Sequence, residues 1–127
     1  MEAEAVARVP RVLLVDDEID LLSVLGGELM EAGFEVTAVQ SGRAAVAAAG
    51  HTRFAVAVTD LKMPDMDGVE TMDALKRLDP GLPVVMATGY RSASAQLEAR
   101  GAYRVILKPF TLDEVLRVVT EAASGRR

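Results

Sequence analysis

Cysteine and tryptophan are absent from this 127-residue chain, and histidine occurs once, at His51. No disulfide framework can form, and a Cys/His metal centre is excluded. Positive charge is also in deficit, with 14 Lys+Arg against 19 Asp+Glu and a net charge of −5. That balance argues against a broad basic face, so neither direct nucleic-acid binding nor attachment to anionic lipid is expected. No apolar run approaches the ~20 residues of a membrane span. The opening MEAEAVARVPR lacks the basic-then-apolar order of a signal peptide. The expectation is a soluble, cytoplasmic protein without a membrane partner. What the chain does have is apolar material: half of its residues are hydrophobic and 26% charged. Its length suits one domain, since two cores would both be undersized.

Short apolar runs alternate with longer amphipathic ones. Val12–Val15, Phe34–Val39, Phe54–Val58, Pro83–Ala87 and Val105–Leu107 read as strands. Three of them are almost wholly apolar, as parallel strands covered on both faces should be. Helical spacing follows each strand. Leu21, Leu22, Leu25 and Leu29 form one stripe; Val69, Met72, Leu75 and Leu78 another; Leu112, Val115, Leu116 and Val119 a third. Two weaker, alanine-rich helices are expected near 42–50 and 91–99. Gly33, Gly50 and Gly101 follow helices one, two and four, where a left-handed closing residue is wanted, and Asp79, Pro80 and Gly81 close the third. Five β–α units imply right-handed crossovers and a five-stranded parallel sheet with helices on both faces, an α/β fold. Gly26 and Gly27 interrupt the first helix at a cost of ~2 kcal/mol relative to two alanines; close packing of that helix on the sheet is the expected reason. Residues 1–9 and 124–127 read as loose ends flanking one domain over 10–123.

In open parallel sheets, ligands gather outside the carboxyl ends of the strands. Strand one ends in Asp16 and Asp17, strand three in Thr59 and Asp60, strand four in Thr88, and strand five in Lys108 and Pro109. Strand two ends in Gln40, Ser41 and Gly42, which offer little. Two carboxylates ~4 Å apart repel by ~4 kcal/mol at an effective dielectric of about 20. Three therefore need a cation. Oxygen ligands alone favour a hard ion, Mg²⁺ in particular. Mg²⁺ with Lys108 beside it makes a site for a phosphoryl group. Each residue alone has a plainer use, an aspartate as a helix cap or a charge at a helix start, but four strand ends agreeing is poorly explained by chance.

Over about residues 10–122 the chain resembles the receiver domain of two-component response regulators. The matching pieces are LLVDDE (13–18), VTDLKMPDMDGVE (58–70), MATGY (86–90) and LKPFTLDEV (107–115). The resemblance implies a flavodoxin-like (βα)5 fold with strand order 2-1-3-4-5, which periodicity does not fix. It also implies that Asp60 takes a phosphoryl group from a phosphohistidine on a sensor histidine kinase or histidine phosphotransfer domain. By the same resemblance Asp17 binds Mg²⁺ directly, Asp16 mostly through water, and Asp60 and the Lys62 backbone carbonyl supply further oxygens. Lys108 pairs with the phosphoryl oxygens, and Thr88 donates its hydroxyl to another. Pro109 follows a cis peptide bond, and Pro64 and Gly68 shape the loop after Asp60. Gly89 keeps space beside the phosphate, and Lys62 and Tyr90 stand where the family varies and tunes phosphate lifetime. Met63, Met66, Met72 and Met86 read as packing residues, and His51 as a surface residue.

One departure matters. Receivers commonly carry an aromatic residue three positions before the strand-five lysine, and here that residue is Val105. Tyr103 is two residues away, ~6.6 Å along a strand, and cannot substitute for it. Phosphoacceptance is untouched by this; the usual output switch is not. Two other functions compete. An aspartyl-phosphate hydrolase would want a second aspartate where Lys62 stands and a substrate cap, for which 127 residues leave no room. A phosphate-independent interaction module would have no reason to keep the five site residues. The chain is thus expected to be a signalling domain and not an enzyme in the ordinary sense. Its output is not in the chain: a stand-alone regulator, a hybrid kinase or a transcription factor all fit, and MATGY and KPFTLDE resemble receivers of hybrid kinases or enhancer-dependent activators.

Overall fold

A computed structural model describes residues 9–126. The order is β1 (Arg11–Val15), α1 (Ile19–Glu31), β2 (Glu35–Val39), α2 (Gly42–Ala49), β3 (Val56–Asp60), α3 (Gly68–Leu78), β4 (Val84–Thr88), a 3-10 turn (Arg91–Ala93), α4 (Ser94–Ala99), β5 (Arg104–Leu107) and α5 (Leu112–Ser124). The five strands are parallel and lie in the order β2-β1-β3-β4-β5. This is the flavodoxin-like arrangement expected from the resemblance.

Period-two alternation decides which core each strand residue enters. Val12 and Leu14 join Val56, Val58 and Ile106 beneath α1 and α5, where Leu22, Leu25, Leu29, Val115 and Val119 complete the cluster. Leu13 and Val15 point the other way and join Ala57, Val84 and Met86 beneath α2, α3 and α4. Met72 and Met86 are fully buried, as their reading as packing residues requires, and His51 is exposed.

The helix ends follow local chemistry. Gly33 and Gly101 have φ of 103° and 119°, and in each case the next residue's N–H reaches back to close the helix: Phe34 to Leu29, Ala102 to Leu97. Gly50 does not fit the expectation. Its φ is −71°, because the chain continues a right-handed turn in which the His51 and Thr52 N–H groups both donate to the Ala48 carbonyl. The segment 91–99 also differs from one helix. It begins as a 3-10 turn, and in α4 only Leu97 is buried, too little tertiary support for a longer helix. Nor does close packing explain Gly26 and Gly27. A Cβ at Gly26 would lie 3.7 Å from Val36 Cγ1, an ordinary contact, and one at Gly27 would meet nothing within 4 Å.

Of the expected loose ends, only Val9 of the first lies among the described residues, and it is exposed. At the other end Ser124 is the last residue of α5. The Arg126 guanidinium is buried against Asp79, so the expected loose end is anchored there, since a buried cation needs a carboxylate partner.

Candidate functional site

The sheet register assembles the site. β1 and β3 pair with Val15 opposite Thr59, so the next residues, Asp16 and Asp60, leave adjacent strands side by side. β3 pairs with β4 through Asp60 and Ala87, and β4 with β5 through Thr88 and Leu107. Thr88 and Lys108 therefore flank Asp60 from the other side. The point lies where the chain reverses direction across the sheet, β2 and β3 being on opposite sides of β1, which is where open α/β sheets form crevices.

Among the described residues, Asp16, Asp17 and Asp60 bring carboxylate oxygens within 4.8 Å of one another. Lys108 Nζ stands 3.0 Å from Asp60 Oδ1 and 3.7 Å from Asp16 Oδ2. Asp16 is buried, Asp17 exposed and Asp60 half-buried. Asp16 Oδ1 accepts the Glu18 N–H at 2.9 Å. Burial pushes the Asp16 carboxyl above its usual range; the Glu18 N–H and the Lys108 charge work against this, and the charges of Asp60 and Glu18 add to it. Burial also works against the Lys108 charge, but its hydrogen bond and attraction to Asp60, with Asp16 and Glu18 behind, outweigh that and hold it above its ordinary value. A cation is thus already favoured at this point.

The oxygens also suit Mg²⁺. Its octahedral shell places ligand oxygens roughly 3 to 4.2 Å apart, a spacing that three carboxylates confined within 4.8 Å reach by side-chain adjustment. The group is all oxygen, with no nitrogen or sulfur to favour a softer metal.

A family profile described as response regulator receiver domain matches residues 12–120. The chain belongs to this family. The receiver is 33% identical over 120 residues to the C4-dicarboxylate transport transcriptional regulatory protein DctD of Rhizobium meliloti, an alignment covering 93% of this chain and 26% of that protein. It therefore spans about a quarter of the length of such relatives. Among solved structures it resembles the chemotaxis response regulator CheY4 of Vibrio cholerae, with TM-score 0.83 and 31% identity over 91% of this chain and 99% of the other. It resembles the beryllofluoride-activated NtrC4 receiver domain dimer as closely, with TM-score 0.84 and 32% identity over 91% and 97%. Receivers are signalling domains of two-component systems, and no described helix of this one is long and apolar enough to cross a membrane.

Most of the other residues read as functional fall around this receiver's acidic edge, while Val105 lies back along β5, opposite Met86. The Lys108–Pro109 peptide is cis, and the Lys108 N–H donates to the Thr88 carbonyl at 2.8 Å. Thr88 is buried, and its Oγ1 accepts the Tyr90 N–H at 3.0 Å. Gly68 is required by space: a Cβ there would collide with the Asp60 carbonyl and lie 2.8 Å from both Leu61 Cα and Met86 Sδ. A Cβ at Gly89 would meet nothing within 4 Å, so protein packing does not demand that glycine. Val105 is partly buried against the α2–α4 core, and Tyr103 turns its ring toward Arg104, 5.4 Å from the guanidinium carbon.

Three features escaped the sequence reading. Asp67 with Glu70, and Thr111 with Glu114, are capping boxes at the starts of α3 and α5. A capping residue followed three positions later by a glutamate is a pattern visible in the sequence, so part of what looks like family motif is helix initiation. Gly42, dismissed with the end of strand two, has no room for a side chain beside Thr71 and Met66. The third is a contact between loops: Lys62 Nζ lies 4.8 Å from the centroid of the Tyr90 ring. No local pattern announces it.

Proposed function

We propose that this receiver accepts a phosphoryl group on Asp60 from a phosphohistidine of a sensor histidine kinase or a histidine phosphotransfer domain. The observation that carries the reading is one juxtaposition: three strand-end carboxylates with oxygens within 4.8 Å of one another and the Lys108 ammonium 3.0 Å from that of Asp60. Asp17, exposed beside the acceptor, would ligate Mg²⁺ directly, with Asp60 and the Lys62 carbonyl. Asp16, buried and engaged by the Glu18 N–H, would act mostly through water. When bound, the metal supplies positive charge against the phosphoryl oxygens.

This chain's own residues do the rest. An Asp60 carboxylate oxygen attacks phosphorus in line with the histidine nitrogen. The P–N bond breaks as the P–O bond forms, and its electron pair returns to the imidazole, which takes a proton from solvent. The transfer state is loose, so alignment and charge neutralisation are the main requirements. Lys108 meets one phosphoryl oxygen and the Thr88 hydroxyl donates to another. The beryllofluoride-activated relative supports the same chemistry here. The phosphorylated receiver would act, in the cytoplasm, on an output domain or protein outside this chain; the regulators it resembles are named as transcriptional. Incubation with acetyl phosphate tests the acceptor. Intact mass should rise by one phosphate only with Mg²⁺, and not at all in Asp60→Asn. Equal labelling of that variant would overturn the assignment.

A further inference from the structure

We propose that Tyr90 reports phosphorylation in this receiver, held in the unphosphorylated protein by two tethers that the phosphoryl group withdraws together. The proposal rests on Asp60 as the phosphoacceptor. One tether is the Lys62 ammonium, 4.8 Å from the centroid of the Tyr90 ring. The other is Thr88, whose Oγ1 accepts the Tyr90 N–H at 3.0 Å. Lys62 follows the acceptor by two residues, and Thr88 ends the neighbouring strand.

Both tethers have the same competitor. An aspartyl phosphate brings about 1.5 to 2 negative charges and three strong acceptor oxygens. Lys62 and Tyr90 are both exposed, and at exposed sites an ammonium over an aromatic face is weakly held, so a nearby dianion draws the ammonium from the ring. The Thr88 hydroxyl has a proton to donate as well as lone pairs to accept with, so this tether is withdrawn by rotation of the Thr88 side chain toward the phosphoryl, which carries Oγ1 away from the Tyr90 N–H. A single event thus frees the ring and the backbone of the same residue.

What Tyr90 then moves is adjacent. It stands immediately before the 3-10 turn Arg91–Ala93, and its carbonyl accepts the Ala93 N–H at 3.0 Å. The turn leads into α4, a six-residue helix with one buried side chain, Leu97. An element so lightly anchored shifts at small cost. Strand five offers no equivalent. Val105 has no ring, and the Tyr103 N–H is fixed to the Val84 carbonyl at 2.7 Å.

The chain has no tryptophan and only two tyrosines, so Tyr103→Phe leaves Tyr90 as the sole tyrosine signal. In that background, ring protons of Tyr90 and ε-methylene protons of Lys62 are followed by NMR before and after Mg²⁺ with beryllofluoride, while ¹⁹F signals report bound fluoride. Binding should remove the upfield ring-current shift of the Lys62 ε-methylene and displace the Tyr90 ring and amide signals. Lys62→Met should move the Tyr90 ring of the free protein part of the way to its bound position, and Lys62→Arg should restore it. Bound fluoride with unmoved Tyr90 and Lys62 signals, or a Lys62→Met variant with an unchanged Tyr90 ring, would overturn the tethers and leave the phosphoacceptor standing. Absence of bound fluoride would overturn the phosphoacceptor itself, and the tethers with it.

Discussion

Lys108 Nζ is nearer to Asp60 Oδ1, at 3.0 Å, than to Asp16 Oδ2, at 3.7 Å. The ammonium is therefore countercharge to the acceptor first and to the acidic pair second. It occupies ground that both a metal and a phosphoryl group would contest. Lys108→Met should move two measurements in opposite directions. Mg²⁺ binding tightens by roughly tenfold, the factor for about 1.4 kcal/mol of relieved repulsion, while phosphoryl transfer from acetyl phosphate slows by at least as much. Metal titration and labelling kinetics check the pair; weaker Mg²⁺ binding in the variant would mean that Lys108 organises the carboxylates rather than competing for them.

Asp16 carries a pH signature. A carboxyl whose pKa folding raises holds its proton more tightly in the folded state than in the unfolded one. Its ionisation therefore costs stability above the raised value, and the cost is relieved as pH falls through that value. In metal-free buffer Asp16→Asn should be more stable than wild type at neutral pH by on the order of 1 kcal/mol. The gap should close on acidification, as wild-type Asp16 takes up the proton that asparagine never needs. Urea unfolding across the acid range gives the comparison directly. Lys108, raised from its ordinary value, has the opposite sense: its contribution is complete below the ordinary lysine value and is lost only as pH climbs through the higher folded one.

The response on strand five should be small. Val105 is stiff at its one side-chain torsion and sits partly buried in the core, so it cannot swing into space vacated near Thr88. Backbone amide shifts on adding Mg²⁺ and beryllofluoride are expected to concentrate between 88 and 99 and to fade along Arg104–Leu107. A smaller relay also means a smaller shift between states. Shifts as large on β5 as beside Thr88 would contradict this.

Two glycines should answer oppositely to alanine. Gly68→Ala places a methyl against the Asp60 carbonyl, with Leu61 Cα and Met86 Sδ each 2.8 Å away, and overpacking of this kind costs about 1 to 3 kcal/mol. Because the clash falls on the backbone of the acceptor, labelling of Asp60 should slow as well. Gly27→Ala meets nothing within 4 Å in the middle of α1 and should gain about 0.5 to 1 kcal/mol. Denaturant midpoints of the two variants decide both.

Local pattern made much of this molecule legible. The apolar runs and helical stripes placed all five β–α units, because burial on a sheet or helix face imposes its period directly on the chain. The strand ends named Asp16, Asp17, Asp60, Thr88 and Lys108 as neighbours, since parallel strands deliver their carboxyl ends to one edge. The motif resemblance supplied the strand order that periodicity leaves open. Only the tertiary structure decided the rest. That Gly50 stays right-handed while Gly33 and Gly101 do not depends on where each chain goes next. That Gly42 and Gly68 admit no side chain, and Gly27 does, depends on which backbone approaches from another element. The meeting of Lys62 and Tyr90 joins loops after different strands, at a distance set by sheet register and not by sequence separation. A sequence records what each residue prefers in its own segment; contacts between segments arise from packing, where the neighbours are chosen by the fold.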